Sequence, residues 1–173
     1  MKLHIRQTWD GQPIHADEMA WVDVSTQQND LVLGVDAPFH GDPPPVEPPG
    51  FTDALWTYEV VELFLLGHAS HYVEIEMGPH GHYLVLQLEG VRHITRAHLP
   101  MTYTTVHRGR RWYGHAQLPL ACLPAGVERA NAYAIHGTGD QRRYLAAFAV
   151  PGDKPDFHRL VPFGSLLIPP MTT

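Results

Sequence analysis

Apolar and polar residues alternate along most of this chain, and helical periodicity is scarce. Leu3 and Ile5 share one side of Lys2 to Thr8, and Ala20, Val22 and Val24 share one side of Met19 to Ser25. Leu31, Leu33 and Val35 continue the pattern. The same period runs through Tyr58 to Leu66, His71 to Met77, Tyr83 to Glu89, Met101 to His107, Arg111 to Leu118, Ala130 to Gly137 and Arg142 to Val150. A period of two marks strands with one buried face. Between the runs lie Asp10-Gly11, Gly67-His68, Pro79-His80-Gly81, Gly109 and Gly139-Asp140, which are turn residues. About ten short strands with frequent turns predict an all-β fold, an antiparallel two-sheet β-sandwich. No repeat or composition break divides the chain, so residues 1–173 read as one domain.

One stretch breaks the pattern. Six of the fifteen residues from Pro38 to Thr52 are proline, so this segment cannot pair within a sheet and is held in extended conformations. A loop of this length is either a binding rim or a stiff connection across one end of the sandwich. Asp53 is placed to cap a short helical turn through Ala54-Leu55-Trp56.

The segment from Leu55 to Gly90 carries the most chemistry. Val61, Leu63 and Leu65 fall on one face of a strand, with Val60, Glu62 and Phe64 on the other. On the next strand Val73, Ile75 and Met77 oppose Tyr72, Glu74 and Glu76. Glutamate is a poor strand former, so its repetition inside such apolar runs needs a reason. For Glu74 and Glu76 the expected reason is a wetted sheet face. Glu62, with Val60 and Phe64 beside it, points toward an apolar layer, where a carboxylate is costly unless paired. Arg142 or Arg143 is the expected partner. A guanidinium–carboxylate pair can be purely structural or can form the floor of a polar ligand site.

The formal net charge of -6 argues against nucleic acid as a partner. No run of about 18 apolar residues is present to span a membrane, and the N-terminus lacks the apolar stretch of a secretory signal. The single cysteine, Cys122, cannot form an internal disulfide, which fits a cytoplasmic location. Thirteen histidines make behaviour near pH 6 sensitive to protonation. His68, His71, His80 and His82 flank the strand bearing Glu74 and Glu76, a set compatible with zinc. No thiolate pair and no H-E-x-x-H accompanies them, so no metal is assigned. Met77 and His136 are conceivable haem ligands, but the chain has no Cys-x-x-Cys-His, and no cofactor is assigned.

A resemblance is carried by TWDG (Thr8 to Gly11), APF (Ala37 to Phe39), LWTYEVVELFL (Leu55 to Leu65), YVEIEMGPHGHYLVL (Tyr72 to Leu86), AIHG (Ala134 to Gly137) and KPDFH (Lys154 to His158). In this order, and over nearly the whole chain, they resemble a family with bacterial members and a vertebrate chromosome-4 open-reading-frame product. That family implies no settled activity. The central third also resembles, more distantly, family 9 carbohydrate-binding modules and DOMON-like sandwiches. This second likeness implies a carbohydrate-binding-module-like sandwich that binds sugars or, in some members, haem. Sugar binders of that group use aromatic platforms, for which Trp56, Tyr58, Tyr72, Trp112 and Tyr144 are available here.

Three functions remain open. The first is a small-molecule site for a sugar or polyol, with Glu62 and Arg142 as a charged anchor, Glu76 and His136 as hydrogen-bonding groups and Trp56 as an apolar wall. The second is an enzyme acting on a carbohydrate or small metabolite, with His136 as acid/base and the glutamates as its partners. In the third, the proline-rich loop engages a protein. Asp156 and His158, on a segment stiffened by Pro155, are placed to fold over a sheet end and meet such a site.

Overall fold

The alternating runs become strands in the computed structural model, which describes residues 1–165. In chain order these are β1 (Lys2–Ile5), β2 (Gln7–Thr8), β3 (Ala20–Gln27), β4 (Asp30–Pro38), β5 (Val60–Leu66), β6 (His71–Met77) and β7 (Tyr83–Glu89). They continue as β8 (Ile94–Arg96), β9 (Thr102–Arg108), β10 (Arg111–Pro119), β11 (Arg129–His136), β12 (Arg143–Ala146) and β13 (Gly164–Ser165). One sheet has the order β1-β3-β4-β10-β9, and the other the order β2-β12-β11-β5-β6-β7-β8, with β13 added beside β11. All the pairings within these two sheets are antiparallel.

The run from Lys2 to Thr8 divides at Arg6. Its first half pairs with β3 in one sheet, and its second half pairs with β12 in the other. The chain therefore crosses from sheet to sheet within its first eight residues. At the far end of the first sheet, β9 and β10 form a hairpin in which Arg108 faces Arg111. Gly109 sits between them with φ +62, a conformation that costs glycine little.

Alternation sorts each strand of the second sheet into two sets. Val61, Leu63, Leu65, Val73, Ile75 and Met77 point inward and meet Leu31, Leu33 and Trp112 of the first sheet. The opposite set would face water in a simple two-layer sandwich. Here it builds a second apolar layer from residues such as Phe64, Tyr72, Leu86, Tyr133 and Ile135. Val150, Phe157 and Phe163, from the irregular chain after β12, cover that layer.

Asn131 holds the cover in place. Its amide nitrogen donates to the Phe148 carbonyl at 2.8 Å, and its oxygen accepts from the Phe148 N–H at 2.9 Å. The Tyr133 hydroxyl donates to the Phe157 carbonyl at 3.2 Å, and the two rings stack at 3.8 Å.

The proline-rich segment crosses one end of the sandwich. The buried Glu59 carboxylate accepts from the N–H groups of His40, Gly41 and Asp42 at 2.9–3.2 Å, and Asp42 in turn accepts from the Gly137 N–H at 2.6 Å. The turn after it differs from expectation. It spans Leu55–Thr57 and starts from Ala54 in the left-handed region without a side-chain cap. Asp53 instead faces His98 at 3.2 Å.

The inter-sheet layer sets stability. Ile75→Ala is expected to cost about 2–5 kcal/mol, whereas Val106→Ala, on an exposed position of β9, is expected to cost no more than about 0.5 kcal/mol. Urea midpoints of the two variants check this, and equal losses would contradict the assignment of faces.

Candidate functional site

The cover over the second sheet does not close completely. A cleft of about 310 Å³ opens over the outward side chains of β5, β6 and β7. Glu62 and Glu74 lie in its floor. Trp56 and Tyr144 stand at one side, and Arg92, Asp156 and His158 stand at the other. Trp56 keeps 44% of its surface exposed, so an aromatic face remains available beside a polar floor.

The position of the carboxyls follows from register. Glu62 on β5 lies directly opposite Glu76 on β6, and Glu74 lies opposite Phe64. All three glutamates therefore point to the outer face. They are not wetted: Glu62, Glu74 and Glu76 are 2%, 4% and 0% exposed. This corrects the expectation for Glu74 and Glu76, because chain outside the sheet covers a face that alternation alone would leave open: His158, after β12, lies over Glu74, and the Trp56 backbone lies over Glu76.

Burial of three carboxyls without a cation against them favours the protonated form. Burial first, and then the Glu74 charge, pushes Glu62 well above the usual carboxylate range, while Arg142 acts weakly in the other direction. Glu74 is raised to about 7, chiefly by burial. Glu76 is raised well above its ordinary value by burial and by the charges of Glu62 and Glu74. Both Glu76 oxygens are sealed and unbonded among the described residues, although the Trp56 amide lies near enough to favour the ionised form slightly.

A polar chain runs from the rim toward the floor, hydrogen-bonded as far as His158. The Tyr72 hydroxyl accepts from the Arg92 N–H at 3.1 Å and lies 2.6 Å from His158 Nδ1. With the phenol raised to about 12, Tyr72 keeps its proton and donates it to Nδ1. Nε2 is then the protonated nitrogen, and it faces Glu74 at 3.9 Å. Burial, assisted by Arg92, lowers His158 to about 4, so the imidazole is neutral at pH 7. Asp156 positions the segment, accepting from Arg92 at 2.8 Å and from the His158 N–H at 3.1 Å.

The other expected residues lie elsewhere. Arg142 forms no pair with Glu62. Its guanidinium donates to the carbonyls of Gly137 at 2.9 Å, Trp56 at 2.7 Å and Tyr58 at 3.1 Å. Arg142 therefore fixes the turn that carries Trp56 and does not serve as a charged anchor. Arg143 is engaged with Glu18 at 3.0 and 3.2 Å.

His136 is also absent from the cleft. It shares parity with Ala132 and Ala134, whereas Ile135 is the β11 residue that reaches the cleft. The His136 ring stacks on His40 at 3.5 Å, and Nε2 is 3.6 Å from Glu18. Burial, and then His40, lowers it to about 4. Glu76 lies opposite Glu62 on the same face, fully buried and outside the lining of the cleft. Among the described residues, no three His, Cys, Asp or Glu side chains gather as a metal site. His82 binds the Glu47 carbonyl at 2.9 Å, and His80 packs edge-on against Phe39.

Sequence reading did not single out Arg92, which lies in the turn between β7 and β8. Nothing in Glu89-Gly90-Val91-Arg92 distinguishes it from a solvated turn arginine.

No family model matches the chain. It is 40% identical over 170 residues to the UPF0462 protein C4orf33 homolog of Mus musculus, covering 92% of this chain and 88% of that protein. It is 38% identical over 174 residues to UPF0462 protein C4orf33 of Homo sapiens, covering 95% and 87%. Among solved structures, a candidate carbohydrate-binding protein from Bacteroides uniformis superposes with a TM-score of 0.73, covering 95% of this chain and 84% of that one. At 12% identity this likeness is one of fold. A family 9 carbohydrate-binding module from Caldicellulosiruptor kristjanssonii, in complex with cellotriose, gives a TM-score of 0.46 at 13% identity over 75% of this chain and 65% of that one.

The buried carboxyls carry a pH signature. A carboxyl raised by folding holds its proton after the unfolded chain has lost it, so its contribution falls as pH rises from its ordinary 4.5 through the folded value. His158 and His136, lowered from 6.5, act oppositely and destabilise as pH falls from 6.5 toward 4. Glu76→Gln is expected to melt higher than wild type at pH 8, with the gain shrinking to nothing near pH 4.5. Thermal melts across that range check this, and a variant that melts lower at pH 8 would show an ionised, paired Glu76.

Proposed function

The chain belongs to the UPF0462 family, and from that footing we propose that it binds a small hydroxyl-rich ligand, a sugar or polyol, in the cleft over the outer face of the second sheet. The observation that carries this reading is the floor of Glu62 and Glu74 beside the half-exposed Trp56. Carboxyl groups offer acceptors when ionised and both a donor and acceptors when protonated, which suits hydroxyls that do both. An indole face supplies the apolar contact that a sugar ring requires. A volume of about 310 Å³ lies at the lower end for small-molecule sites and fits one or two sugar rings. The fold likeness to a candidate carbohydrate-binding protein is consistent with the reading.

An enzyme is the second reading, and one observation favours it. The chain from Tyr72 through His158 to Glu74, whose carboxyl is raised to about 7, has the form of a general acid poised near neutral pH. Turnover of a sugar derivative with a pH profile that loses its upper limb in Glu74→Gln would establish it.

Monosaccharides and polyols tested by calorimetry and thermal shift are expected to give saturable binding and a raised melting temperature. Trp56→Ala is expected to weaken that binding roughly tenfold, the equivalent of about 1.4 kcal/mol of stacking, while still folding cooperatively. Absence of heat and of thermal shift across the panel would overturn the reading.

A further inference from the structure

The floor of the cleft is richer in acid than a site for neutral hydroxyls requires. Among the described residues, none makes a hydrogen bond to the carboxyl of Glu62 or Glu74, and both groups line the cleft while at least nine-tenths buried. The nearby cations are already committed. Arg142 spends its donors on three backbone carbonyls, and Arg92 is paired with Asp156. His158 is neutral and presents one N–H toward Glu74 across 3.9 Å. A negative charge that forms on either carboxyl therefore has no uncommitted cation to answer it at the base of the cleft.

We propose that the cleft selects ligands bearing a protonated amine, amino sugars being the class that also meets the Trp56 wall, with the ammonium seated at the carboxyls of Glu62 and Glu74. This rests on the reading of the cleft as a small-ligand site. An ammonium group carries three donors and no acceptor, so it matches a carboxyl of the floor that has given up its proton and can only accept. Charge-assisted bonds of this kind are about twice as strong as neutral ones. A free anion is disfavoured by the two glutamates and by Asp156 at the rim. The described acids do not gather in threes at metal-ligand spacing, which favours a larger cation bringing its own hydrogens.

Seating the cation changes the proton inventory. In the empty cleft Glu62 and Glu74 retain protons at or near neutral pH, because burial opposes ionisation of both and the Glu74 charge further opposes that of Glu62. Glu76 beside Glu62, Tyr72 on β6, Tyr133 on β11, Arg142 before β12, Arg92 after β7, and Asp156 and His158 in the cover are the other charged or titratable groups around these carboxyls. When R–NH3⁺ enters, a carboxyl O–H ionises, its proton leaves to solvent, and a carboxylate–ammonium pair forms. Affinity for an amine therefore falls as pH drops below about 7, the range in which Glu74 takes up its proton, while affinity for a neutral sugar does not follow that titration.

The test is calorimetry of the full chain with glucosamine, glucose, N-acetylglucosamine and cyclohexylamine at pH 7.5 and pH 5.5, in two buffers of different ionisation enthalpy. Glucosamine is expected to bind about tenfold or more tightly than glucose at pH 7.5, with buffer-dependent heat showing proton release. That preference should narrow at pH 5.5 and should be absent for the acetylated sugar. Glu62→Gln/Glu74→Gln is expected to bring the ratio of the two affinities toward one, whereas Trp56→Ala should weaken both sugars and leave the ratio. Equal binding of glucosamine and glucose would overturn the inference and keep the sugar site. Binding of cyclohexylamine as tight as that of glucosamine would keep the ammonium seat and remove the sugar. No binding of any of the four would overturn both.

Discussion

A β-strand has only two sides, and that constraint governs everything in the cleft. Once Val61, Leu63 and Leu65 are committed to the space between the sheets, Glu62 has no choice but to face outward with Phe64. Pairing of β5 with β6 then brings Glu76 opposite it and Glu74 one step away on the same face. The acidic cluster is thus a by-product of correct inter-sheet packing. Moving it would require a one-residue slip that also turns the core inside out. The chain after β12 meets this outer face with Val150, Phe157 and Phe163 and converts what would be a solvated surface into an interior.

The cover is held mainly by directional contacts. Asn131 and Tyr133 on β11 bond the backbone of residues 148 and 157, so the cover is fastened to the central part of the second sheet while its flank over β6 and β7 stands open. Arg142 does the same on the other side, clamping the turn of Trp56. The opening therefore has two independently anchored lips, which is an economical way to keep a dry floor and an accessible mouth in the same place. The Tyr72–His158 bond then ties one lip to β6, the strand that carries Glu74 and Glu76.

Much of the architecture was legible because burial follows parity. The ten runs read from alternation correspond to strands of the two sheets. The missed elements are those where parity carries no information: β8 is exposed throughout, and β13 spans two residues. Glu62 stood out because it breaks an apolar face, and Trp56 as one of the aromatics that the resemblance to sugar binders brought forward. Arg142 misled because a guanidinium can be satisfied by carbonyls as well as by a carboxylate, and no residue type marks a carbonyl cluster. His136 is different, since its parity with Ala132 and Ala134 already placed it away from Tyr133 and Ile135. The seclusion of Glu74 and Glu76 could not be read locally, because it depends on chain outside their own hairpin: His158 over Glu74 and the turn of Trp56 over Glu76.

The crossing of the first eight residues from one sheet to the other gives the amino terminus an influence beyond its length. β1 forms the border of one sheet and β2 the border of the other, and both are too short to template pairing with another molecule, as edge protection requires. A single detachment would uncover β3 and β12 together, presenting two unpaired ladders at once. The opposite borders, β9 and β8, lie outside this arrangement, so these few residues act as a common fastener for one border of each sheet.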